Sequence, residues 1–470
     1  MRLGAVILGL GALCVASPAP LDKHNDVVNA FVNGVMGGVD DVVRGLLGHL
    51  SDAVNRGDRD EAIDILHQMS PSRKSLKSTE EAIARLQAIA ASSGKDIDIV
   101  DYAAKLVANG LISGTVDGLF DYIDGFFSKE SSNNNDNPSP PKKIYPKADS
   151  CDPAYSVPED DLRSAIYIPP GFTYGEKPPV ILFPGTGSNG YTAFKGNFIP
   201  LLTDVDWADP VWVNVPGFLN DDAQDNAEYA AYAMHYIAAI TKRDIGIIAW
   251  SQGNIDVQWA FKYWPSTREV TTDHVAISAD YKGTILANLL TLSGLINNPS
   301  VLQQKAGSDF INTLRADGGD SGYVPTTSIY SGLLDEIVQP QSGTIASAYM
   351  LDERGVGVTN AEVQKVCKGG LAGTLYTHES TLANPLAFAL AKDALTHSGP
   401  GDLSRLDLGS VCASYLAPGL GLDDFLVTEN AIVIAALSLV TYLPKAAEEP
   451  ALRGYTVSPP QCKREQPFSA

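Results

Sequence analysis

The fold is decided by the stretch Ile245-Gly-Ile-Ile-Ala-Trp-Ser-Gln-Gly253. Its first six residues are a continuous apolar run, which is typical of a buried strand, and a helical pattern begins near Asn254. Ser251 therefore lies where a strand must turn sharply into a helix. Small residues, Ala249 and Gly253, stand two positions before and after it, where larger side chains would clash. This context predicts a nucleophile elbow with Ser251 at its tip, and disfavours an ordinary surface serine in a turn.

Three further apolar runs with the length of buried strands surround this stretch: Pro179–Phe183, Val211–Val215 and His274–Ser278. Helical patterns lie between the runs, at Asp225–Thr241 and Ile255–Tyr263. Short buried strands that alternate with helices indicate a parallel sheet covered on both faces. The sequence therefore predicts an α/β fold with a mostly parallel sheet.

A glycine-rich stretch, Gly185-Thr-Gly-Ser-Asn-Gly190, formally matches the dinucleotide-binding pattern after a strand. That pattern needs a long helix packed against the sheet, and here Gly196 and Pro200 interrupt the segment that should form it. We therefore predict no nucleotide cofactor. The sequence also has no Cys-x-x-Cys or His-Glu-x-x-His pattern, so nothing points to a metal.

The chain divides into four parts by composition. Residues 1–19 have a basic start and an apolar run too short to span a bilayer, which predicts a signal peptide and a secreted protein. Residues 20–129 carry apolar positions at helical spacing, and the pair Ser78 and Glu81 forms a capping box that opens one of the predicted helices. Residues 130–148 are rich in Ser, Asn and Pro, which predicts a linker that does not pack. Residues 149–470 form the α/β domain.

The helical region 20–129 contains no catalytic constellation. We consider two roles for it: a pro-region that shields an apolar pocket until it is cleaved off, or an accessory module that binds a surface. The charge balance restricts the partners of the whole chain, because 34 Lys and Arg oppose 55 Asp and Glu, a formal net charge of −21. This balance disfavours nucleic acid and anionic lipid as partners.

A nucleophilic serine needs a histidine as base and an acid that orients the histidine, and in this fold they follow in the order Ser, Asp or Glu, His. His378 and His397 are the histidines that lie after a plausible acid. His378 belongs to a turn-rich loop, whereas His397 has the pattern of a helix end. Asp335 follows a β-rich run at Tyr323–Tyr330, where the loop after a strand would aim a carboxylate. Pattern alone leaves Asp335 as one of several candidate acids.

Four stretches resemble the secreted fungal lipase B family: Phe183-Pro-Gly-Thr-Gly187, Ala249-Trp-Ser-Gln-Gly253, Ala279-Asp-Tyr-Lys-Gly283 and Asp335-Glu-Ile-Val-Gln-Pro-Gln341. Their order and spacing are kept over residues 151–462. The resemblance implies a serine lipase or carboxylesterase of the α/β-hydrolase type, without a cofactor, acting on acylglycerols and other esters. The region 20–129 has no counterpart in the family's mature enzyme.

The resemblance also implies roles for individual residues. Ser251 is the nucleophile, Asp335 the acid and His378 the base, and Thr186 and Gln252 form the oxyanion hole. Asp280 and Gln304 line the acyl pocket. Cys367 and Cys412 form one disulfide, which leaves Cys151 and Cys462 as a second pair. Two positions depart from the family: Val211 replaces a cysteine and Thr377 an acidic residue, and Glu379 follows the histidine.

Two apolar stretches could flank the pocket of a lipase, Leu286–Leu295 and Ala431–Val440, although an ordinary core helix has the same pattern. Three alternatives to the lipase remain open. An acyltransferase or a polyesterase could use the same triad, and a binding protein could use the fold without catalysis.

Overall fold

The computed structural model describes residues 76–93, 128–285, 297–332 and 335–458, together with single residues between 49 and 111. The predicted signal peptide, Leu286–Leu295 and Cys462 lie outside these residues. The described helices are α1 (Thr79–Ser93), α2 (Glu159–Ser164), α3 (Gly190–Phe194), α4 (Phe198–Leu202), α5 (Ala223–Thr241), α6 (Gly253–Tyr263), α7 (Pro299–Gln303), α8 (Asp309–Arg315), α9 (Val363–Val366), α10 (Pro385–Thr396), α11 (Leu408–Val411) and α12 (Leu422–Thr441).

A seven-stranded sheet forms the centre of the molecule, in the order β1-β3-β2-β4-β5-β6-β7. Strand β1 runs antiparallel to β3, and the other neighbouring pairs are parallel. The α/β fold and the mostly parallel sheet are therefore confirmed. The strands are β1 (Ile166–Tyr167), β2 (Pro179–Phe183), β3 (Asp209–Val213), β4 (Ile245–Trp250), β5 (Thr271–Ile277), β6 (Thr326–Tyr330) and β7 (Val358–Glu362).

The core lies on both faces of the sheet because successive side chains of a strand point to opposite faces. In β2, Val180 and Leu182 belong to one apolar cluster, whereas Ile181 and Phe183 belong to the other. The first cluster includes apolar residues of α10 and α12, and the second includes those of α5 and α6. Strands β2 and β4 therefore read as unbroken apolar runs, since each is buried on two sides.

Helix α1 confirms the predicted capping box. The hydroxyl of Ser78 accepts a hydrogen bond from the backbone N–H of Glu81 at 3.3 Å, and the Glu81 carboxylate accepts one from the N–H of Lys77. Ala82, Leu86 and Ile89 are buried at helical spacing, and α1 packs against α12. The all-helical character of the rest of residues 20–129 lies mostly outside the described residues and stays a prediction.

Residues 128–148, which we call the strap, differ from the prediction of an unpacked linker for residues 130–148. Side chains of the sheet hold the strap's backbone: Trp212 Nε1 donates to the carbonyl of Glu130 at 2.8 Å, and Asn214 Nδ2 donates to the carbonyls of Glu130 and Ser132. Ile144 is buried in the core. Because polar segments pack when their backbone groups find partners, composition alone predicted this segment wrongly.

Candidate active site

Ser251 lies in the turn between β4 and α6, and its backbone has the conformation of an elbow. Its φ is +54°, a left-handed value that costs free energy for a residue with a side chain. A Cβ on Gly253 would lie 2.2 Å from the carbonyl oxygen of Pro184, and a Cβ on Gly185 would lie 2.6 Å from the Cβ of Ser251. Only glycine fits these two positions. The sequence predicted a small residue at Gly253 but did not single out glycine.

The elbow is held by a buried Asn–His pair that sequence reasoning did not find. Asn254 Nδ2 donates to the carbonyls of Ser251 at 3.0 Å and Ile277 at 3.1 Å, which joins the turn to the end of β5. Its Oδ1 lies 3.1 Å from Nε2 of His274. Complete burial lowers the pKa of His274 to about 3, so its imidazole is neutral and Nε2–H is the donor. His274 therefore acts in structure.

Asp335 and His378 meet as a buried pair, although 43 positions separate them in the sequence. His378 Nδ1 lies 3.0 Å from Oδ1 and 2.9 Å from Oδ2 of Asp335, and both side chains are almost fully buried. Oδ1 of Asp335 also accepts hydrogen bonds from the backbone N–H groups of Ile337 at 3.1 Å and Val338 at 2.7 Å. The carboxylate accepts the Nδ1–H of the imidazole and so fixes this tautomer.

Ser251 and His378 line the same cavity. His378 Nε2, on the side of the ring away from Asp335, has no hydrogen-bond partner among the described residues. The two side chains are therefore brought to one cavity without a hydrogen bond between them, which is common in enzymes without substrate. Burial would lower the pKa of His378, but the charge and hydrogen bond of Asp335, with the charges of Glu336 and Asp280, raise it above its usual value.

The backbone amides of Thr186 and Gln252 lie next to Ser251 in the strand-end loop after β2 and at the start of α6. In the part of the chain that the structure describes, neither N–H finds an acceptor. The neighbouring loop is fixed, since Gly187 N–H donates to the carbonyl of Phe218 at 2.8 Å and a Cβ on Gly187 would lie 2.6 Å from Cα of Ala435. Two fixed, unpaired N–H groups suit a developing negative oxygen.

The side chains of Thr186, Gln252 and Gln304 form a closed polar triangle. The Thr186 hydroxyl lies 2.6 Å from Oε1 of Gln252 and 3.0 Å from Oε1 of Gln304, and Nε2 of Gln304 donates to Oε1 of Gln252 at 3.0 Å. The hydroxyl has one proton for these two acceptors. Gln304 also lines the cavity. The resemblance did not indicate its contacts with Thr186 and Gln252.

The cavity is narrow, with a volume of about 30 Å³. Apart from the residues already named, its lining is mainly apolar: Trp250, Val301, Ile337, Val338, Ile432, Ala435 and Leu439, together with Thr284. Asp280 is not part of this lining. It is completely buried, neither of its oxygens has a hydrogen-bond partner among the described residues, and burial raises its pKa to about 7.

The other candidate side chains are accounted for by structural contacts. His397 follows the last residue of α10, and its Nδ1 contacts the carbonyl of Asp393 at 3.0 Å, which fits the predicted helix end. Cys367 and Cys412 form a disulfide. The predicted Cys151–Cys462 pair involves a residue outside the described part of the chain. Among the described residues, no group of three or more His, Cys, Asp or Glu side chains is arranged to hold a metal ion.

Comparison with known proteins identifies the family. No family model matches the chain. A curated relative, lipase B of Pseudozyma antarctica, is 32% identical over 309 residues, which cover 65% of this chain and 86% of the relative. The chain belongs to the lipase B family. The crystal structure of Aspergillus fumigatus lipase B is similar at 42% identity and a TM-score of 0.79, covering 92% of this chain and 99% of the other.

Membership of the lipase B family makes this chain a serine hydrolase of the lipase and carboxylesterase type, acting on ester or lipid substrates. One expectation from the resemblance needs correction. The likeness to the Aspergillus lipase B covers more of the chain than residues 149–470 alone could supply, so much of the region before residue 149 has a counterpart in that structure. In the described residues, no helix has the length and apolar character needed to cross a membrane.

Proposed function

We propose that Ser251, His378 and Asp335 form the catalytic triad of this lipase B family member. The observation that carries the proposal is the hydrogen bond between Nδ1 of His378 and the carboxylate of Asp335 at 2.9 Å. The imidazole of this pair lines the same cavity as Ser251. The left-handed φ of Ser251 supports the same assignment, because strained backbone concentrates at functional sites.

The reaction is acyl transfer. His378 removes the proton from the Ser251 hydroxyl as its oxygen attacks the ester carbonyl, and Asp335 stabilises the imidazolium that results. The imidazolium then gives the proton to the departing alcohol, which leaves an acyl-enzyme. Water, deprotonated by the same histidine, releases the carboxylic acid and restores Ser251.

The negative oxygen of each tetrahedral intermediate is bound by the N–H groups of Thr186 and Gln252, with the Thr186 hydroxyl as third donor. The two N–H groups have no other acceptor among the described residues, which supports this role. To reach the oxyanion, the Thr186 hydroxyl must release its amide oxygen acceptor, Gln252 or Gln304.

The substrates are acylglycerols and other carboxylic esters, bound at a lipid–water interface. The lining of the cavity is mainly apolar, with Ile432, Ala435 and Leu439 contributed by helix α12, which suits the acyl chain of such an ester.

The chain is secreted, with residues 1–19 removed, and residues 20–129 act as a pro- or accessory region before the catalytic domain at 149–470. The disulfide between Cys367 and Cys412 supports an oxidising compartment. Because the strap is bound to the sheet, residues 130–148 accompany the catalytic domain.

The test combines Ser251→Ala with a fluorophosphonate probe that labels activated serines. We expect the wild type to be labelled and to hydrolyse p-nitrophenyl esters and tributyrin, and Ser251→Ala to lose both. Asp335→Asn, which favours the wrong tautomer of His378, should lower kcat by about 10⁴-fold. Labelling and hydrolysis that persist in Ser251→Ala would overturn the assignment.

A further inference from the structure

Three buried glutamates lie behind the catalytic histidine and take no part in the reaction described above. Glu336 follows Asp335, Glu379 follows His378, and Glu429 lies on α12. Their exposed fractions are 7%, 0% and 0%. Burying three acids in one place is costly unless protons or cations neutralise them.

Two of the three carboxyl groups hold the loop that carries His378. Oε2 of Glu336 accepts a hydrogen bond from the backbone N–H of His378 at 2.9 Å. Oε1 of Glu429 accepts one from the hydroxyl of Thr377 at 3.3 Å. Acids therefore hold the backbone of His378 and the side chain of the residue before it.

Glu379 interacts through its carboxyl group with those of both Glu336 and Glu429. Neither oxygen of Glu379 meets an N–H or hydroxyl donor among the described residues, and Glu336 and Glu429 each have one oxygen in the same situation. No lysine or arginine pairs with any of the three in that part of the chain. Buried carboxyl oxygens that face one another without other donors form hydrogen bonds only when protons lie between them.

We propose that Glu336, Glu379 and Glu429 form one proton-sharing cluster, in which Glu336 is a positioning residue that holds His378 by its backbone N–H. The inference rests on the proposed triad. The cluster has two consequences: it fixes the backbone that carries the imidazole, and its negative charge acts on the imidazole.

Electrostatics within the cluster agree with shared protons. Burial raises the pKa of Glu336 to about 7 and that of Glu429 to about 8. It also raises the pKa of Glu379 well above its usual value, with the charges of its two neighbours adding to the effect. Other titratable groups from several segments of the chain act electrostatically on the cluster or on His378. They are acids and phenols: Asp335, Asp280, Tyr102 and Tyr415.

The charge of Glu336 raises the pKa of His378, in addition to the larger effect of Asp335. His378 must be neutral to act as a base, so the acid limb of kcat/KM follows its pKa in the free enzyme. Because burial raises the pKa of Glu336 to about 7, its carboxyl group gains negative charge near neutral pH, and that charge favours the protonated imidazole.

The test compares Glu336→Gln with Glu336→Ala over pH 4 to 9, with rates counted per active site by fluorophosphonate titration. Glutamine keeps an oxygen that accepts the His378 N–H but removes the charge. We expect Glu336→Gln to keep the wild-type plateau of kcat and to move the acid limb down by about one pH unit. Alanine removes the acceptor as well, so its plateau of kcat should fall by about tenfold with little change in KM.

Controls separate the possible failures. Glu228→Gln removes another buried acid whose pKa is raised to about 7, but Glu228 contacts Ser156 and Val157, away from the triad, so the limb should stay in place. If Glu336→Gln does not fold, Glu429→Gln tests the cluster, with a smaller shift in the same direction expected. An acid limb equal to that of the wild type in the folded variant overturns the cluster, whereas activity in Ser251→Ala overturns the triad instead.

Discussion

At the scale of single residues, the Thr186 hydroxyl has one proton and two amide oxygens within hydrogen-bonding distance. It lies 2.6 Å from Oε1 of Gln252 and 3.0 Å from Oε1 of Gln304, so its proton is directed at an amide oxygen in the substrate-free enzyme. The oxyanion is a stronger acceptor because it is charged. In the mechanism that we propose, the hydroxyl therefore gains an interaction in the transition state that it does not have with the ground-state ester, which is the condition for raising kcat.

We predict that Thr186→Val lowers kcat by about 10²–10³-fold, the usual effect of removing one oxyanion donor. KM should change little, since the lost contact forms mainly in the transition state. Initial rates with a soluble p-nitrophenyl ester measure both constants. Thr186→Ser keeps the hydroxyl and should stay near the wild type, and equal losses in the two variants would show that the methyl group, not the donor, is what matters.

At the scale of elements, α12 serves the site in three ways at once. Ile432, Ala435 and Leu439 line the cavity, and Ala435 packs on Gly187 in the loop after β2, next to Thr186. Glu429 reaches the acid cluster from the same helix. The sequence predicted a helix at Ala431–Val440 that flanks the pocket or fills the core, and the structure shows that one helix does both, over a longer span.

We predict that Ile432→Ala shifts the acyl-chain preference towards longer or bulkier esters. The removed atoms widen the cavity on the α12 side, and an added methylene in an apolar pocket changes specificity by about 10-fold or more. The measurement is kcat/KM for p-nitrophenyl esters from acetate to palmitate.

The matched control is Ile237→Ala, a fully buried isoleucine on α5 in the core of the opposite sheet face. Both variants should lose stability, by about 2–5 kcal/mol for Ile237→Ala. Only Ile432→Ala should change the chain-length profile. An unchanged profile in Ile432→Ala would mean that the acyl chain does not occupy this side of the cavity.

At the scale of the whole molecule, the sequence predicted those strands and turns that depend on the local pattern of residues. The apolar runs predicted β2 and β4 with their observed bounds, and the elbow followed from small residues around Ser251. Contacts between distant segments have no signal in the local sequence. Glu429 and Thr377, which form a hydrogen bond, are 52 positions apart, and Trp212 lies 82 positions from the strap residue that it binds. Asp335 could be chosen among the acids only through the resemblance, for the same reason.

The buried acids also set how the stability of the whole molecule depends on pH. Burial raises the pKa of several carboxyl groups to about 7 or 8: Glu228, Asp273, Asp280, Glu336 and Glu429. Between about pH 4.5 and these values the folded chain holds protons that the unfolded chain has lost, so the free energy of unfolding falls as the pH rises. His235 and His274, with pKa values lowered to about 3, act in the opposite direction below pH 6.5 but are fewer.

We therefore predict a higher melting temperature at pH 5.5 than at pH 7.5, measured by scanning calorimetry at constant ionic strength. Because protons are taken up on folding, the calorimetric enthalpy should also depend on the ionisation enthalpy of the buffer. A melting temperature that rises over this interval would contradict the raised pKa values.

The strap has a consequence for the border of the sheet. Strand β1 is only two residues long, and its side of the sheet would otherwise offer free backbone groups to a neighbouring molecule. Asn137 Nδ2 donates to the carbonyls of Arg163 and Ile166, and the backbone N–H of Asn135 donates to the carbonyl of Ser164. A shortened enzyme that begins after residue 148 would lose this protection, and its exposed border would invite aggregation, so a soluble minimal lipase should keep its chain from Ser128 onward.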